Sequence, residues 1–400
     1  MPHPLTLSRR EFCAGTAASL LAVHVPGAAA ADSAYSLVAA TDRRRILRAA
    51  AEYLPLPIRT ITAIPAPNSP GGPHDYVSQA DYFWPDPKNP SGPYINRDGQ
   101  SNPANFNGHR RVMIELSIRM PALTAAGLLT HDHRYAVRAG DYLRAWFADP
   151  ATRMNPNLEF AQGVHGVSTG RSYGIIDTLH LVEVARAATL LDGSAMSGRD
   201  REAVQAWFRD YLNWMKTSDK GRKERAAKNN HATCWALQAA EYARATGDEG
   251  AREELRAWYR DTLLPDQLGL DGSFPRELAR TKPYSYSIFN FDVMASLAQS
   301  LDTPPRPEGE RLTTFALPDG RRLCRAAAFL YPYLKDKSAW PYEKDVEHFD
   351  ALPVRSPGLL FAGLACHRDA YIALWKTLNP DPTDPEIIRN YPVRQPLLWV

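Results

Sequence analysis

The sequence predicts an all-α fold, an (α/α)n toroid or incomplete barrel of antiparallel helical hairpins with long proline- and aromatic-rich loops. Apolar residues recur at helical spacing over most of the chain, and short turn signals separate one helix-length stretch from the next. No regular alternation of strand and helix patterns occurs, which argues against a parallel α/β sheet. The length of 400 residues does not force two domains, since large closed folds use this length as one unit.

Residues 1–31 read as a removable export leader. Ser8-Arg9-Arg10-Glu11-Phe12 is a twin-arginine signal, an apolar run follows through Leu20, Leu21 and Val25, and Ala28-Ala29-Ala30 offers small residues for cleavage. His24 and Pro26 break the run before it could span a membrane, so a periplasmic or secreted location is expected, with no membrane association after removal and no later span. Residues 32–400 form the single expected domain. Without Arg9, Arg10 and Glu11 it carries 45 basic and 43 acidic residues, a balance that argues against nucleic-acid binding.

Helical spacing first covers residues 41–54. Residues 55–103 break the pattern with eleven prolines, and proline disfavours helix both at its own position and at the one before. Tyr76, Tyr82, Phe83, Trp84 and Tyr94 lie in this stretch. It reads as an extended strap over the helices or as a lid whose aromatic faces stack on sugar rings. Helices are then expected over 108–129 and 133–148, with stripes at Ile175, Ile176, Leu179, Val182 and Ala185, and at Val204, Trp207, Phe208, Tyr211, Leu212 and Met215. Further helices are expected over 232–246, 249–263, 287–301, 321–334 and 357–376. Leu191-Asp192-Gly193 and Thr246-Gly247-Asp248 punctuate the series, and Pro380 to Val400 reads as a second extended strap.

Several motifs invite chemistry and resist it. Gly166-Val167-Ser168-Thr169-Gly170 matches a nucleophile elbow, with Asp177 and His180 downstream, but the preceding segment is too polar for the buried strand an elbow needs. A glycine-hinged loop entering a helix fits better, and Gln162, His165 and Arg171 cluster there where an anion would be favoured. His131-Asp132-His133 gives no complete metal-ligand set and reads as a solvated turn. Cys234, Cys324 and Cys366 permit at most one disulfide, stand in no metal-ligand spacing and read as buried small hydrophobes. No metal or organic cofactor is expected. Lys220, Arg222, Lys223, Arg225 and Lys228 form either a solvated face or a patch that steers a polyanion.

Asn229-Asn230-His231 opens the helix expected from residue 232, and Arg280 and Tyr286 follow about fifty residues later. Asn230 alone reads as a cap, Arg280 as an ion-pairing residue with Glu277 nearby, and Tyr286 as a packed aromatic. Together they could hold a carboxylate, neutralise it and move a proton beside it. Pro283 argues for an extended chain over 280–284, with the helix starting near Ser285 to Ser287. The helix dipole and Arg280 would then both favour the Tyr286 phenolate over its usual state near pH 10. Tyr284 points the same way along the chain.

At these residues the chain resembles the alginate lyase superfamily, in particular the helical-toroid uronan lyases of polysaccharide lyase families 5 and 38, with family 38 the nearer. Asn229-Asn230-His231 carries the resemblance, with Arg276-Glu277-Leu278-Ala279-Arg280, Tyr286, Phe289-Asn290 and the strap Gln79-Ala80-Asp81-Tyr82-Phe83-Trp84-Pro85-Asp86-Pro87, over roughly residues 55–300. It implies that Asn230, His231 and Arg280 neutralise a uronate carboxylate and that Tyr286 transfers the proton. It also implies that Tyr82, Trp84, Gln162, His165, Arg171 and Tyr284 contact substrate. The expected activity is β-elimination on a β-1,4-linked polyuronate, poly-β-D-mannuronate or glucuronan, by a monomer. Loss of H5 needs a stabilised enolate-like dianion, which hydrogen bonds and a cation supply. Where H5 and O4 share a ring face, one tyrosine can take and return the proton; guluronate, with opposite faces, would need a second group such as His231. The rivals are a glycoside hydrolase, needing two facing carboxyls among Asp81, Asp86, Glu159 and Asp177, and a non-catalytic uronan-binding protein.

Overall fold

In the computed structural model the described residues are 26–67 and 69–400, so the leader assigned to residues 1–31 lies outside them except for the backbone of 26–31. The principal helices, in chain order, are α1 Pro26–Tyr53, α2 Gly108–Thr130, α3 His133–Leu143, α4 Leu181–Leu190, α5 Gly198–Thr217, α6 Asp219–Arg225 and α7 Asn230–Thr246. They continue with α8 Glu249–Trp258, α9 Pro283–Leu301, α10 Leu323–Lys335, α11 Pro357–Ala365, α12 Asp369–Thr377 and α13 Pro385–Arg389. The inner helices pack in the order α2, α4, α7, α9, α11, and α3, α5, α8 and α12 flank them, which gives the expected helical toroid.

Local signals set these boundaries. Gly247 stops α7 at φ 71°, a left-handed conformation that costs glycine little, and Asp248 then caps α8 by accepting from the Ala251 N–H. Along α5 the sequence stripe Val204, Trp207, Phe208, Tyr211, Leu212 and Met215 is buried as a set. Helix α2 is long and apolar enough to cross a membrane, contrary to the expectation that no later segment would be; most of its apolar stretch is buried inside the protein.

Three expectations about elements are corrected. Helix α9 begins at Pro283 itself, because proline at the first helical position gives up an N–H that has no intrahelical partner there. The stretch 357–376 is two helices, separated where His367 adopts φ 52°. The stripe from Ile175 starts in a 3₁₀ helix, Ser172–His180, and only α4 continues as α-helix.

The strap of residues 55–103 carries β1 Val77–Gln79, β2 Phe83–Trp84 and β3 Ile95–Asn96. Strand β1 pairs in parallel with β4 Phe160–Gly163, and β2 pairs with β3 in antiparallel register. Buried His109 of α2 fastens the strap at two points, accepting from the Val77 N–H at 2.9 Å through Nδ1 and reaching the Ile64 carbonyl at 2.8 Å through Nε2. That pair of partners assigns the proton to Nε2, and burial holds this imidazole below its usual pKa. The C-terminal strap is not extended throughout; it forms α13 and then runs back against α1, α2 and α4.

The cysteine expectation fails for two of three residues: Cys324 and Cys366 form a disulfide that spans 42 residues, while Cys234 is free and buried. Closing a loop of that length restricts the unfolded chain by about 4 kcal/mol in the chain-entropy account. The double substitution Cys324→Ser, Cys366→Ser is therefore expected to lower unfolding stability by about that much. Urea unfolding followed by circular dichroism measures it, and an unchanged midpoint would show that the bridge adds nothing.

Candidate active site

Asn229, Asn230, His231, Arg280 and Tyr286, scattered over 58 positions of sequence, border one cavity of about 470 Å³. Asn230 is the first residue of α7, yet no side chain of its own helix caps it. Instead the buried carboxylate of Glu277 accepts from the Asn230 backbone N–H at 2.6 Å and from its Nδ2 at 2.7 Å. A negative group at a helix N-terminus is favoured by the dipole and satisfies an orphan donor. Burial raises the Glu277 pKa, against the two bonds from Asn230. The Asn230 amide is thereby fixed in orientation, with its second amide hydrogen left for a ligand.

His231 follows on the same turn. Its Nδ1 is hydrogen-bonded to Glu224 of α6, which is 1% exposed, and its ring meets that of Tyr173 in a T-shaped contact, 4.9 Å between centroids. A carboxylate on Nδ1 sets the tautomer and leaves Nε2 for the cavity side.

Arg280 does not pair with Glu277 as the sequence suggested. It makes a two-pronged contact with Asp98 of the strap, at 2.7 and 3.1 Å, and its guanidinium lies 4.5 Å from the centre of the Tyr286 ring. Burial, the largest single influence, works against this cation, but the Asp98 bond and the charges of Tyr286, Asp98 and Glu277 together outweigh it and raise the Arg280 pKa. Tyr286, 6% exposed and one turn into α9, donates to the Tyr82 hydroxyl at 2.9 Å. Arg389 of α13 also donates to that oxygen, at 3.0 Å.

The expected downward shift of Tyr286 is corrected: burial pushes its phenol well above 10, with Tyr82 adding to this and Arg280 opposing it. Desolvation of a phenolate exceeds the help of one partly neutralised cation and a helix end.

The family model for alginate lyase matches residues 60–340 of this chain, a span that contains all five residues. The chain belongs to the alginate lyase family. The crystal structure of an alginate lyase from Bacteroides ovatus superposes with a TM-score of 0.79 at 30% identity, covering 94% of this chain and 97% of that one. Alginate lyase A1-III from Sphingomonas species A1 shares the fold, with a TM-score of 0.53 at 18% identity over 92% of this chain and 94% of its own. No curated protein matches the chain significantly.

The other predicted contacts divide in this alginate lyase family member. Tyr82, Gln162 and Arg171 border the cavity. Tyr284 does not: it is fully buried, its hydroxyl donates to the Tyr333 carbonyl at 2.9 Å, and Trp340 and Phe349 enclose its ring. Two positions before Tyr286 on a helix is about 200° of rotation away, so the two rings leave opposite faces. Trp84 lies off the cavity wall with its Nε1 on the Gln100 carbonyl and Arg97 over its ring, and exposed His165 packs beside Tyr94.

Of the hydrolase carboxyls, Asp81 and Asp177 border the cavity but are tied up in ion pairs and hydrogen bonds, and Asp86 and Glu159 lie off its wall, Asp86 accepting from the Lys88 N–H at 2.9 Å. Asp81 pairs with Arg110 and Arg389, Asp177 accepts from Tyr76, Ser78 and Arg110, and Glu159 pairs with Lys220. Asp177 is therefore no triad member for Ser168, whose loop closes on Val164 through the turn at Gly166. The basic run is mostly paired as well, Arg222 with Asp219, Arg225 with Glu254 and Lys228 with Asp266. Among the described residues no His, Cys, Asp and Glu cluster could hold a metal ion. His131-Asp132-His133 is the expected turn, with Asp132 capping α3.

Sequence reasoning missed Asp98, Glu224, Arg389 and Asn390. Glu277 it treated only as a neighbour of Arg280. Arg389 and Asn390 reach the cavity from a segment read as a strap, and nothing local to Arg389 marks it.

Proposed function

We propose that the protein is an exported polysaccharide lyase that cleaves β-1,4-linked polyuronate, poly-β-D-mannuronate or glucuronan, by β-elimination. The observation that carries this reading is the convergence of Asn230, His231 and Arg280 around the Tyr286 side of one cavity. The roles follow from the donors available. Arg280 and the free amide hydrogen of Asn230 meet the uronate carboxylate and stabilise the charge that builds as H5 leaves. Tyr286, as phenolate, takes H5 and returns the proton to O4 on the same ring face. His231, with Nδ1 on Glu224, is the second acid–base group for a sugar whose H5 and O4 lie on opposite faces.

The test is incubation with poly-mannuronate, poly-guluronate and glucuronan, followed by ultraviolet absorbance of the conjugated unsaturated end. Chain shortening without that absorbance would establish a hydrolase, and binding without shortening a uronan-binding protein.

A pH dependence follows from the base. Since burial holds the Tyr286 pKa well above 10, the reactive phenolate is the minor form at neutral pH and its share grows as pH rises. kcat/KM is accordingly expected to climb from about pH 6 to about pH 9. Initial rates of absorbance increase measure this, and a rate falling across the whole range would remove Tyr286 from the role of base.

A further inference from the structure

A second cavity, of about 410 Å³, lies outside the catalytic one and shares no lining residue with it. The chain at Lys228 and Asn229 runs between the two, since Lys228 borders the second cavity and Asn229 the first. Gln267, in the wall of the second, donates to the Asn229 carbonyl at 2.8 Å and so fixes this partition. The other walls come from the end of α5, the end of α6 with the turn after it, and a π-helical turn, Tyr259–Leu263, that continues α8. Irregular turns of that kind recur at functional sites. The volume is in the range that encloses an organic ligand and exceeds what an inorganic ion needs.

The lining sets four cations, Lys216, Arg222, Arg225 and Lys228, against one acid, Asp266. Three of them belong to the basic run between Lys220 and Lys228, which the catalytic cavity does not use. Their ion pairs run to exposed acids. Arg225 at 2.8 Å and Lys216 at 3.4 Å share Glu254, Arg222 pairs with Asp219, and Lys228 pairs with Asp266 at 3.0 Å. Exposed pairs hold weakly and exchange readily for a ligand's acid groups. Arg276 adds a further cation, donating to the Lys228 carbonyl at 2.8 Å and the Asp266 carbonyl at 2.6 Å, with no ion pair among the described residues. Five cations therefore meet three acids. The Arg225 guanidinium lies 4.9 Å from the ring centre of Trp258, which also borders the cavity, and 5.3 Å from that of Trp235. An aromatic surface beside surplus cations receives a sugar ring and its carboxylate together.

We propose that this second cavity is a non-catalytic site for an acidic saccharide, a stretch of uronate chain that it holds without cutting. No tyrosine or histidine borders it to move a proton beside a bound sugar. The identity of the sugar rests on the lyase reading above. A polymer engaged at both cavities dissociates more slowly than one engaged at either, so the site retains polymer between cuts.

The test is isothermal titration calorimetry with saturated mannuronate trisaccharide, in the Tyr286→Phe background so that turnover does not interfere. This protein is expected to bind one equivalent more than the same protein carrying Lys216→Ala and Lys228→Ala, whose affinity at the second site should fall about 10- to 100-fold. Thr262→Trp, which fills the cavity and leaves every charge in place, should lose the same equivalent; thermal melting of each variant shows that it is folded. Mannose trisaccharide, which has no carboxylate, should not occupy the site. With Tyr286 restored, the two lysine substitutions should raise KM on poly-mannuronate about 3- to 10-fold and leave kcat unchanged. Equal equivalents in parent and variants, or equal occupancy by the neutral trisaccharide, overturns the proposal, and an unchanged KM overturns the retention role. A lack of unsaturated product from every polymer fails the lyase reading separately, because the difference in equivalents is read without turnover.

Discussion

Tyr286→Phe is expected to reduce kcat by about 10³- to 10⁴-fold while KM changes little, because one hydroxyl serves as both base and acid in the proposed elimination. The phenyl ring that remains keeps the stacking of Arg280, whose guanidinium lies 4.5 Å from the ring centre, and Arg280 keeps its bonds to Asp98. Carboxylate binding should therefore survive, and the loss should fall on the step in which H5 is taken. The hydroxyl also bonds to Tyr82 at 2.9 Å, so its removal leaves the Tyr82 oxygen with Arg389 and with Glu386, which lies 3.3 Å away. Fold damage should be slight. Tyr284→Phe is the control: among the described residues its hydroxyl bonds only to the Tyr333 carbonyl, so it should cost about 1 kcal/mol of stability and leave kcat unchanged. Both variants are read by initial rates of ultraviolet absorbance on poly-mannuronate. Turnover at the wild-type rate in Tyr286→Phe would move the proton transfer to His231.

The fold was legible wherever a helix had to bury one face against the ring. The stripe on α5 matches its buried residues one for one, and the Gly247-Asp248 signal stops one helix and starts the next. Where periodicity says little, the reading slipped. Residue 283 read as a helix breaker and is a helix starter, since proline's effect depends on position within the first turn and not on identity. The disulfide was invisible because Cys324 and Cys366 lie on different helices, α10 and just past α11, brought together only by packing.

The site divides in the same way. Asn230, His231, Arg280 and Tyr286, singled out together in the sequence, border one cavity because the start of α7 and the segment leading into α9 lie side by side. Their supports were not read from the sequence. Glu277 and Glu224 orient Asn230 and His231, and Asp98 orients Arg280, all through contacts between separate elements. Tyr82 was read as a stacking platform for sugar, yet its hydroxyl is turned into a network with Tyr286, Arg389 and Glu386. A side chain's ring predicts what it can stack on; only the fold determines where its polar end goes.

That dependence on a distant segment yields the second large effect. Glu183 of α4 is fully buried, and its carboxylate accepts from the backbone N–H groups of Arg394, at 3.0 Å, and Gln395, at 2.8 Å, and from Trp399 Nε1 at 3.1 Å. Burial raises its pKa, and these three donors oppose that shift. Glu183→Ala leaves all three donors buried without an acceptor, at about 1–3 kcal/mol for each that cannot relax to water. A net loss of about 3–5 kcal/mol is expected, a large part of the usual stability of a folded domain. Glu183→Gln keeps one acceptor and the packing, and should lose roughly half as much. The effect should reach activity, because the segment released also carries Glu386, Arg389 and Asn390, and Arg389 bonds to Tyr82 and Asp81 at the cavity. Below its melting temperature Glu183→Ala should thus show reduced kcat with a fold that is otherwise intact. Thermal melting beside initial rates measures both quantities. A variant that melts like wild type would show that Arg186, stacked 4.0 Å from the Trp399 ring centre and bonded to the Leu398 carbonyl, holds the segment alone.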